Sequence, residues 1–252
     1  MRAMILAAGL GTRLRPLTDQ TPKPLLPVAG RPMILYPLAL LRRSGITEVI
    51  INTHLHPEQF QQVLGDGSAL GMKLTFSPEP VLLDTGGGLK NAEGFFQGET
   101  FAVLNADSLL EADLNAALAE HRRFKPLATL VLKKISNAQD FSAVEVDDAG
   151  YIRRLRGEPT SLSSRGATDS SRALRALDSY TFTGLQIIEP EALQILPAKV
   201  PSCLIRDAYI PSLRQGRPLR AFITSGYWLS LDTAARIQEA EADLQAGRIR
   251  LG

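Results

Sequence analysis

Cys203 is the only cysteine in the chain, so no intrachain disulfide can form and no thiolate cluster can hold a metal. Histidine is almost as scarce. His54 and His56 lack the third imidazole or nearby thiolate that would complete a metal set, and read as loop residues at a cleft edge. His121 falls on a charged helical stretch and reads as exposed, and no Ser-His-Asp arrangement is suggested, which argues against a covalent hydrolase. No apolar run approaches the roughly 20 residues needed to span a bilayer. The short run after Met1-Arg2 is interrupted by Arg13 and Arg15, unlike a secretory leader. The net charge of +2 is too small for a broad nucleic-acid surface. These absences predict a soluble, cytoplasmic protein with no nucleic-acid or membrane partner.

What charge there is concentrates locally. Arg13, Arg15, Lys23 and Arg31 make the N-terminal quarter basic, which suits a small anionic ligand. The chain's 252 residues suffice for one large α/β domain with a sizeable core. Short apolar segments at Ala3 to Leu6, Val49 to Ile51, Leu74 to Phe76, Phe101 to Leu104 and Ala128 to Leu132 read as strands. Helical spacing lies between them, at Pro32 to Ser44 and Glu111 to Phe124, and again at Thr233 to Ala246. The alternation predicts a mainly parallel sheet covered by helices. After Ala143 the pattern becomes a hairpin, Ala143 to Val146 and Tyr151 to Leu155 around an Asp-Asp-Ala-Gly turn. Residues 158–179 are rich in Ser, Thr and Arg without apolar period, and read as an exposed loop.

The segment LAAGLGTRLRPLTDQTPKPLLPVAG, Leu6 to Gly30, couples the first strand to a glycine turn carrying two cations. Gly9 and Gly11 permit positive φ and close backbone approach to anionic oxygens. Arg13 offers a planar, permanently charged fork for phosphate. Pro22 and Pro24 stiffen the chain around Lys23 and bias Thr21 and Lys23 towards extended conformations. A dinucleotide fingerprint would need glycine at Leu14, and a P-loop would need a Gly-Lys-Ser/Thr ending; both are absent.

The segment resembles the signature of the sugar-phosphate nucleotidylyltransferases, or NDP-sugar pyrophosphorylases, which read LAAGxGTRLxPLT and then TPKPLxPV. The resemblance implies a three-layer Rossmann-like nucleotidyltransferase fold in one domain, with nucleotide binding before residue 125 and a smaller β-rich sugar-binding part over 126–252. It implies transfer of a nucleotidyl group from an NTP, UTP or GTP, to a sugar 1-phosphate such as N-acetylmuramate, mannose, or a related hexose or heptose phosphate. It also implies a Mg2+ cofactor. Leu6, Ala7, Ala8, Gly9, Gly11 and Thr12 would line the nucleotide, with Arg13 on the leaving phosphates and Lys23 at the α-phosphate.

Asp107 follows the strand in FAVLNADSLL, matching the family's metal aspartate, and is the candidate catalytic metal ligand. By itself it also suits a turn or helix cap. The family's GYWLDxGT motif appears as Gly226 to Thr233 with Ser230 at the aspartate position. Asp232, two residues on, is either the replacement carboxylate or a helix cap. LLDTGGGLKNA places Gly86, Gly87 and Gly88 before a helix, resembling the base-recognition loop, with Glu79 and Thr85 assisting. Thr183 and Gly184 match the family's sugar-side Thr-Gly pair, and Asn105 is grouped with them. Glu158 matches a Glu-Lys-Pro sugar contact from which the lysine is missing; Asp207 reads as a local hydrogen-bonding residue.

Two other functions fit parts of this pattern: a polyol- or choline-phosphate cytidylyltransferase, suggested by Asp232-Thr233, and a non-catalytic nucleotide-sugar-binding regulator, suggested by Ser230. The chain is expected to act as a monomer or homodimer.

Overall fold

The computed structural model describes residues 1–134, 143–156, 158–159, 177–198 and 200–249, with the backbone alone described at 158–159. The chain begins with strand β1 (Ala3–Leu6), and the small ribbon β2 (Pro27–Val28) and β3 (Arg31–Pro32) leads into helix α1 (Leu35–Arg43). Then come β4 (Glu48–Thr53), α2 (Pro57–Leu64), β5 (Lys73–Pro78), α3 (Asp84–Asn91), α4 (Glu93–Phe96), β6 (Phe101–Asn105), β7 (Ser108–Leu110), α5 (Leu114–Phe124) and β8 (Ala128–Lys133). The second half carries β9 (Val144–Val146), β10 (Ile152–Leu155), β11 (Glu158–Pro159), β12 (Asp178–Ile188), α6 (Glu191–Ile195), a π-helix over Leu204–Tyr209, α7 (Ile210–Arg214), β13 (Leu219–Thr224), β14 (Trp228–Ser230) and α8 (Ala234–Gln245).

Among the described residues the main sheet runs β11-β10-β9-β12-β6-β1-β4-β5, with β8 and β13 added beside β12. β6, β1, β4 and β5 are parallel, and β12 runs antiparallel to β6. Alternation along β1 explains the layers. Ala3 and Ile5 point into one apolar core with Leu38 and Leu41 of α1 and Phe60 of α2, whereas Met4 points into the other with Leu89 of α3, Phe96 of α4 and Tyr209. Helices therefore cover both faces, the three-layer α/β arrangement expected from the sequence. A third cluster, including Val28, Tyr36, Leu109, Leu229, Leu231 and Ala240, fastens α8 and the β7/β14 ribbon to the N-terminal part. No helix among the described residues is long and apolar enough to cross a membrane.

The strand segments read from the sequence all form, extended by one or two residues where polar ends such as Asn52, Thr53 and Asn105 still pair or lie at the sheet rim. The hairpin forms as β9 and β10. Helix α5 begins at Leu114 rather than Glu111, because the Asp113 carboxylate caps it by accepting from Ala116 N, and Glu111 N donates to Tyr227 O instead. Pro37 sits in the first turn of α1, where a missing N–H costs little. The expected 158–179 loop is bounded by strands: Glu158 and Pro159 pair with β10, and β12 starts at Asp178. Residues 160–176 lie outside the described residues.

His121 is a correction. It is 0% exposed, with Nδ1 2.8 Å from Thr129 Oγ1 and Nε2 2.8 Å from Glu189 Oε1. The spacing Leu114, Ala117, Leu118, His121 puts it on the apolar face of α5, a signal that the neighbouring charges obscured.

Candidate active site

Parallel strands deliver their carboxyl ends to one edge of the sheet, and the loops leaving β1, β4, β5 and β6 there enclose a cleft of about 540 Å3. From β1 come Leu6, Ala7, Ala8, Gly9, Gly11, Thr12 and Arg13, followed by Lys23 and Pro24. Asn52 comes from β4, Leu82, Asp84 and Thr85 from the segment after β5, and Asn105, Ala106 and Asp107 from β6. Pro201 and Asp232 complete the wall from the second half of the chain.

Of the two loop glycines, only Gly11 takes positive φ, at +62°. A Cβ there would lie 2.9 Å from Thr18 Cγ2 and 3.0 Å from Lys23 Cβ, so glycine lets the loop close over Thr18, whose hydroxyl donates to Gly11 O. Gly9 meets nothing within 4 Å where a Cβ would project. The flanking prolines do not leave Lys23 extended: Leu25 N donates to Pro22 O and Leu26 N to Lys23 O, closing a 3-10 turn that begins at Lys23.

Four of the charged side chains lining the cleft are paired across it. Lys23 Nζ lies 2.5 Å from Asp107 Oδ2, and Arg13 Nη1 lies 2.5 Å from Asp232 Oδ2. Lys23 is 12% exposed and Arg13 is 69% exposed, so one cation sits deep and the other at the rim. Backbone bonds bring the two carboxylates into the same wall: Leu231 N donates to Asp107 O at 2.8 Å, β14 pairs with β7 with Ser230 opposite Ser108, and Ala106 N donates to Leu6 O. Asp232 is not the cap of α8. Thr233 is, its hydroxyl accepting from Arg236 N. Asp232 Oδ1 is buried and accepts no hydrogen bond among the described residues, with Arg236 Nε 3.7 Å away.

Glu79 acts one step removed from the cleft. The side chain is buried; Oε1 accepts from Asn52 Nδ2 at 2.8 Å and Oε2 from Leu83 N at 2.9 Å, while Asn52 Oδ1 accepts from Ala7 N at 2.8 Å. One buried amide and one buried carboxylate thus lock the loop after β1 to the segment after β5. Asn52 was not singled out in the sequence, although a polar residue closing the apolar strand VIIN was a usable signal.

The glycine tract lies within α3 rather than before it. Gly86 and Gly87 are buried outside the cleft lining: added Cβ atoms would lie 2.8 Å from Ser202 O and 2.7 Å from Val200 O, so these glycines let α3 approach the 200–204 segment closely. Gly88 makes room for Glu79 Oε1 and Asn52 Nδ2 in the same way. Thr85 lines the cleft and accepts from Leu204 N through its hydroxyl. Thr183 is buried, its hydroxyl donating to Val131 O and its carbonyl accepting from Ser108 Oγ and Trp228 Nε1. Gly184, at φ +89°, lets the Asn105 amide approach, since a Cβ would lie 2.8 Å from its Nδ2. Of this group only Asn105 reaches the cleft. The side chain of Glu158 lies outside the described residues. His54 and His56 do not line the cleft; His54 Nδ1 contacts Glu79 O at 2.7 Å and His56 contacts Glu58 at 3.5 Å. Asp207 Oδ2 accepts from Cys203 N, and the Arg206 fork holds its carboxyl below the usual range.

The profile of the nucleotidyl transferase family matches residues 2–247. The chain belongs to that family. It is 36% identical over 248 residues to the N-acetylmuramate alpha-1-phosphate uridylyltransferase of Neisseria meningitidis serogroup B, covering 96% of this chain and 97% of that one. It is 30% identical over 250 residues to the mannose-1-phosphate guanylyltransferase of Mycobacterium tuberculosis, and there it spans 65% of the relative. Among solved structures, a candidate glucose-1-phosphate thymidylyltransferase from Bacillus anthracis, in complex with sucrose, superimposes with a TM-score of 0.80 at 25% identity, over 100% of this chain and 97% of that one.

Proposed function

We propose that this nucleotidyltransferase joins an NTP to a sugar 1-phosphate, releasing pyrophosphate, and that the pair is UTP and N-acetylmuramate 1-phosphate. The reading is carried by the two ion pairs, Lys23–Asp107 and Arg13–Asp232, that face the glycine loop across one cleft. Near-complete mutual coverage with the uridylyltransferase favours this pair over GTP and mannose 1-phosphate, since the guanylyltransferase is matched over only 65% of its length. A reaction that consumes an NTP suits the cytoplasm.

An oxygen of the sugar phosphate attacks the α-phosphorus in line. The new P–O bond forms as the bond from the α-phosphorus to the bridging oxygen breaks, and pyrophosphate leaves with that electron pair. Lys23, deep in the cleft, exchanges Asp107 for oxygens of the α-phosphate, and Arg13, at the rim, exchanges Asp232 for the departing phosphates. Gly9 and Gly11 keep the loop backbone open to the phosphates, and the Asn52–Glu79 lock fixes that loop before substrate arrives. Asp107 and Asp232 are the residues that would hold a divalent cation. The unbonded, buried Asp232 Oδ1 and the all-oxygen donors suit Mg2+, which takes one or two carboxylates together with waters and substrate phosphates. When bound, such an ion neutralises charge between two anionic substrates. No enzyme nucleophile is required. Asn105, which lines the cleft beside Gly184, is assigned to the sugar phosphate, and the part of the chain after residue 126 to the sugar; its cleft position supports that reading.

A matrix of nucleoside triphosphates against sugar 1-phosphates with Mg2+, scored by pyrophosphate release, tests the assignment. Release with UTP and N-acetylmuramate 1-phosphate is expected; a productive GTP and mannose 1-phosphate cell instead would change the substrates, and no productive cell would overturn the reaction.

A further inference from the structure

A second cavity, of about 580 Å3, opens at the end of the sheet opposite the cleft. β6 shows the polarity: its first residue, Phe101, pairs with Ile188 at the end of β12, and its other end leads through Asn105 to Asp107 in the cleft. The cavity gathers Glu189 and Glu191 from just after β12, Arg122 and Lys125 from the end of α5, and Arg217 from the approach to β13, around Leu127 at the entry to β8. The reaction above uses none of these residues.

The fold leaves the charges in this cavity apart. Arg122, Lys125 and Arg217 make no ion pair among the described residues, with the two carboxylates or with any other. Glu189 is held by other groups: the Thr100 hydroxyl donates to both of its oxygens, at 3.0 and 3.1 Å, and His121 Nε2 lies 2.8 Å from Oε1, with 29% of the Glu189 side chain still open to solvent. Lys125 closes α5 in the left-handed conformation, at φ +46°, where glycine is the usual residue, so an ammonium is kept at the cavity edge at a cost in backbone strain. Glu189 N donates to Leu127 O, and Leu127 N donates to Pro218 O. Glu189 and Arg217 therefore stand on opposite sides of Leu127, about 10 Å apart, or two strand spacings.

This separation of charge describes the ligand. Three cations, two of them guanidinium forks, suit the several oxygens of a phosphate dianion better than a lone carboxylate. The glutamates on the other side accept only from O–H or N–H groups. The volume is that of a small-molecule site, and no aromatic ring lines it among the described residues for a nucleobase to stack on. A hexose phosphate carries both halves, a dianion and a face of hydroxyls, in one ligand of this size.

We propose that this cavity is a second ligand site, taking a phosphorylated sugar with its phosphate on Arg122, Lys125 and Arg217 and its hydroxyls on Glu189 and Glu191. The site is separate from the reaction cleft, and the inference stands without the nucleotidyl-transfer reading.

Calorimetric titration of the full chain, without nucleotide, with glucose 6-phosphate, N-acetylglucosamine 6-phosphate, inorganic phosphate and glucose tests it. The 6-phosphates lack the anomeric phosphate that the reaction consumes. At least one of them should bind one to one and more tightly than inorganic phosphate, with no heat from glucose at the same concentration. In the double variant Arg122→Gln/Arg217→Gln that binding should weaken about tenfold or more, the scale of losing hydrogen bonds to a charged group. Glu191→Gln should weaken the sugar phosphate several-fold and leave inorganic phosphate as tight or tighter, since the carboxylate accepts from hydroxyls but repels phosphate. Lys23→Gln, in the reaction cleft, should leave the binding unchanged. Arg122, Arg217 and Glu191 are exposed, so the melting temperatures of the cavity variants should match the parent. The inference would be overturned if neither sugar phosphate bound the parent or bound more tightly than inorganic phosphate, if both cavity variants kept the parent's affinity, or if Lys23→Gln abolished binding that the double variant retained.

Discussion

Asp107 is held by its backbone as well as by its charge. The carbonyl accepts from Leu231 N whatever the side chain, so Asp107→Asn removes the anion and leaves the β7/β14 junction intact. Turnover should fall at least about a hundredfold, the scale of losing one preorganised electrostatic contact, with little change in melting temperature. Pyrophosphate release and thermal denaturation measure the two effects; full turnover at saturating Mg2+ would remove Asp107 from the machinery. Asn52 is the contrasting case. Asn52→Ala strips Glu79 Oε1 of its donor inside the protein and frees Ala7 N at the same time. A loss of about 1–3 kcal/mol is expected in urea denaturation for the orphaned buried group, accompanied by a raised KM for NTP.

Helix α3 shows why a glycine tract cannot be assigned a role from composition alone. Three consecutive glycines weaken a helix by about 1 kcal/mol each relative to alanine, so propensity predicts that replacement would stabilise it. Packing predicts the reverse: the Gly87 Cβ would lie 2.7 Å from Val200 O and 3.0 Å from Leu83 Cβ. Gly87→Ala should destabilise by about 1–3 kcal/mol, the usual range for overpacking. Gly94→Ala in α4 is the control, because a Cβ there meets nothing within 4 Å, and it should stabilise by a few tenths to about 1 kcal/mol. Chemical denaturation of the pair decides whether close approach or helix propensity governs these positions.

At the scale of the whole molecule, His121 joins α5 to β8 and to the end of β12 through Thr129 and Glu189. Burial pushes its imidazole below the ordinary value of 6.5, outweighing the opposing pull of Glu189. The unfolded chain therefore binds more protons between the two values. The stability that follows is present in full above about 6.5 and is lost as pH falls from there through the folded-state value. Asp66, Asp207 and Asp243, whose carboxyls are held below their ordinary value of 3.8 by hydrogen bonds, contribute their losses at lower pH. Melting temperature should drop between pH 7.5 and 5.5, and His121→Gln should flatten that slope even if it lowers the whole curve; an equally steep slope in the variant would assign the effect elsewhere.

Sequence alone was enough for the sheet order's raw material and for the glycine-loop side of the cleft, because both follow from local rules. Alternating apolar segments define strands and faces, and a glycine turn with cations two to twelve residues on is written contiguously from Gly11 to Lys23. Residues brought together across long separations were not legible. That Asp232 faces Arg13 rather than capping α8 depends on the β7/β14 pairing and on the apolar cluster beneath it. That Glu79 works through Asn52, that Gly86 and Gly87 pack against 200–204, and that His121 is interior depends on which groups the fold stacks within hydrogen-bonding or van der Waals reach. Local pattern determines what a segment can become, since it acts through neighbours in the chain; tertiary contact decides which oxygen, amide or methyl each side chain meets, since that energy exists only once distant segments have been packed together.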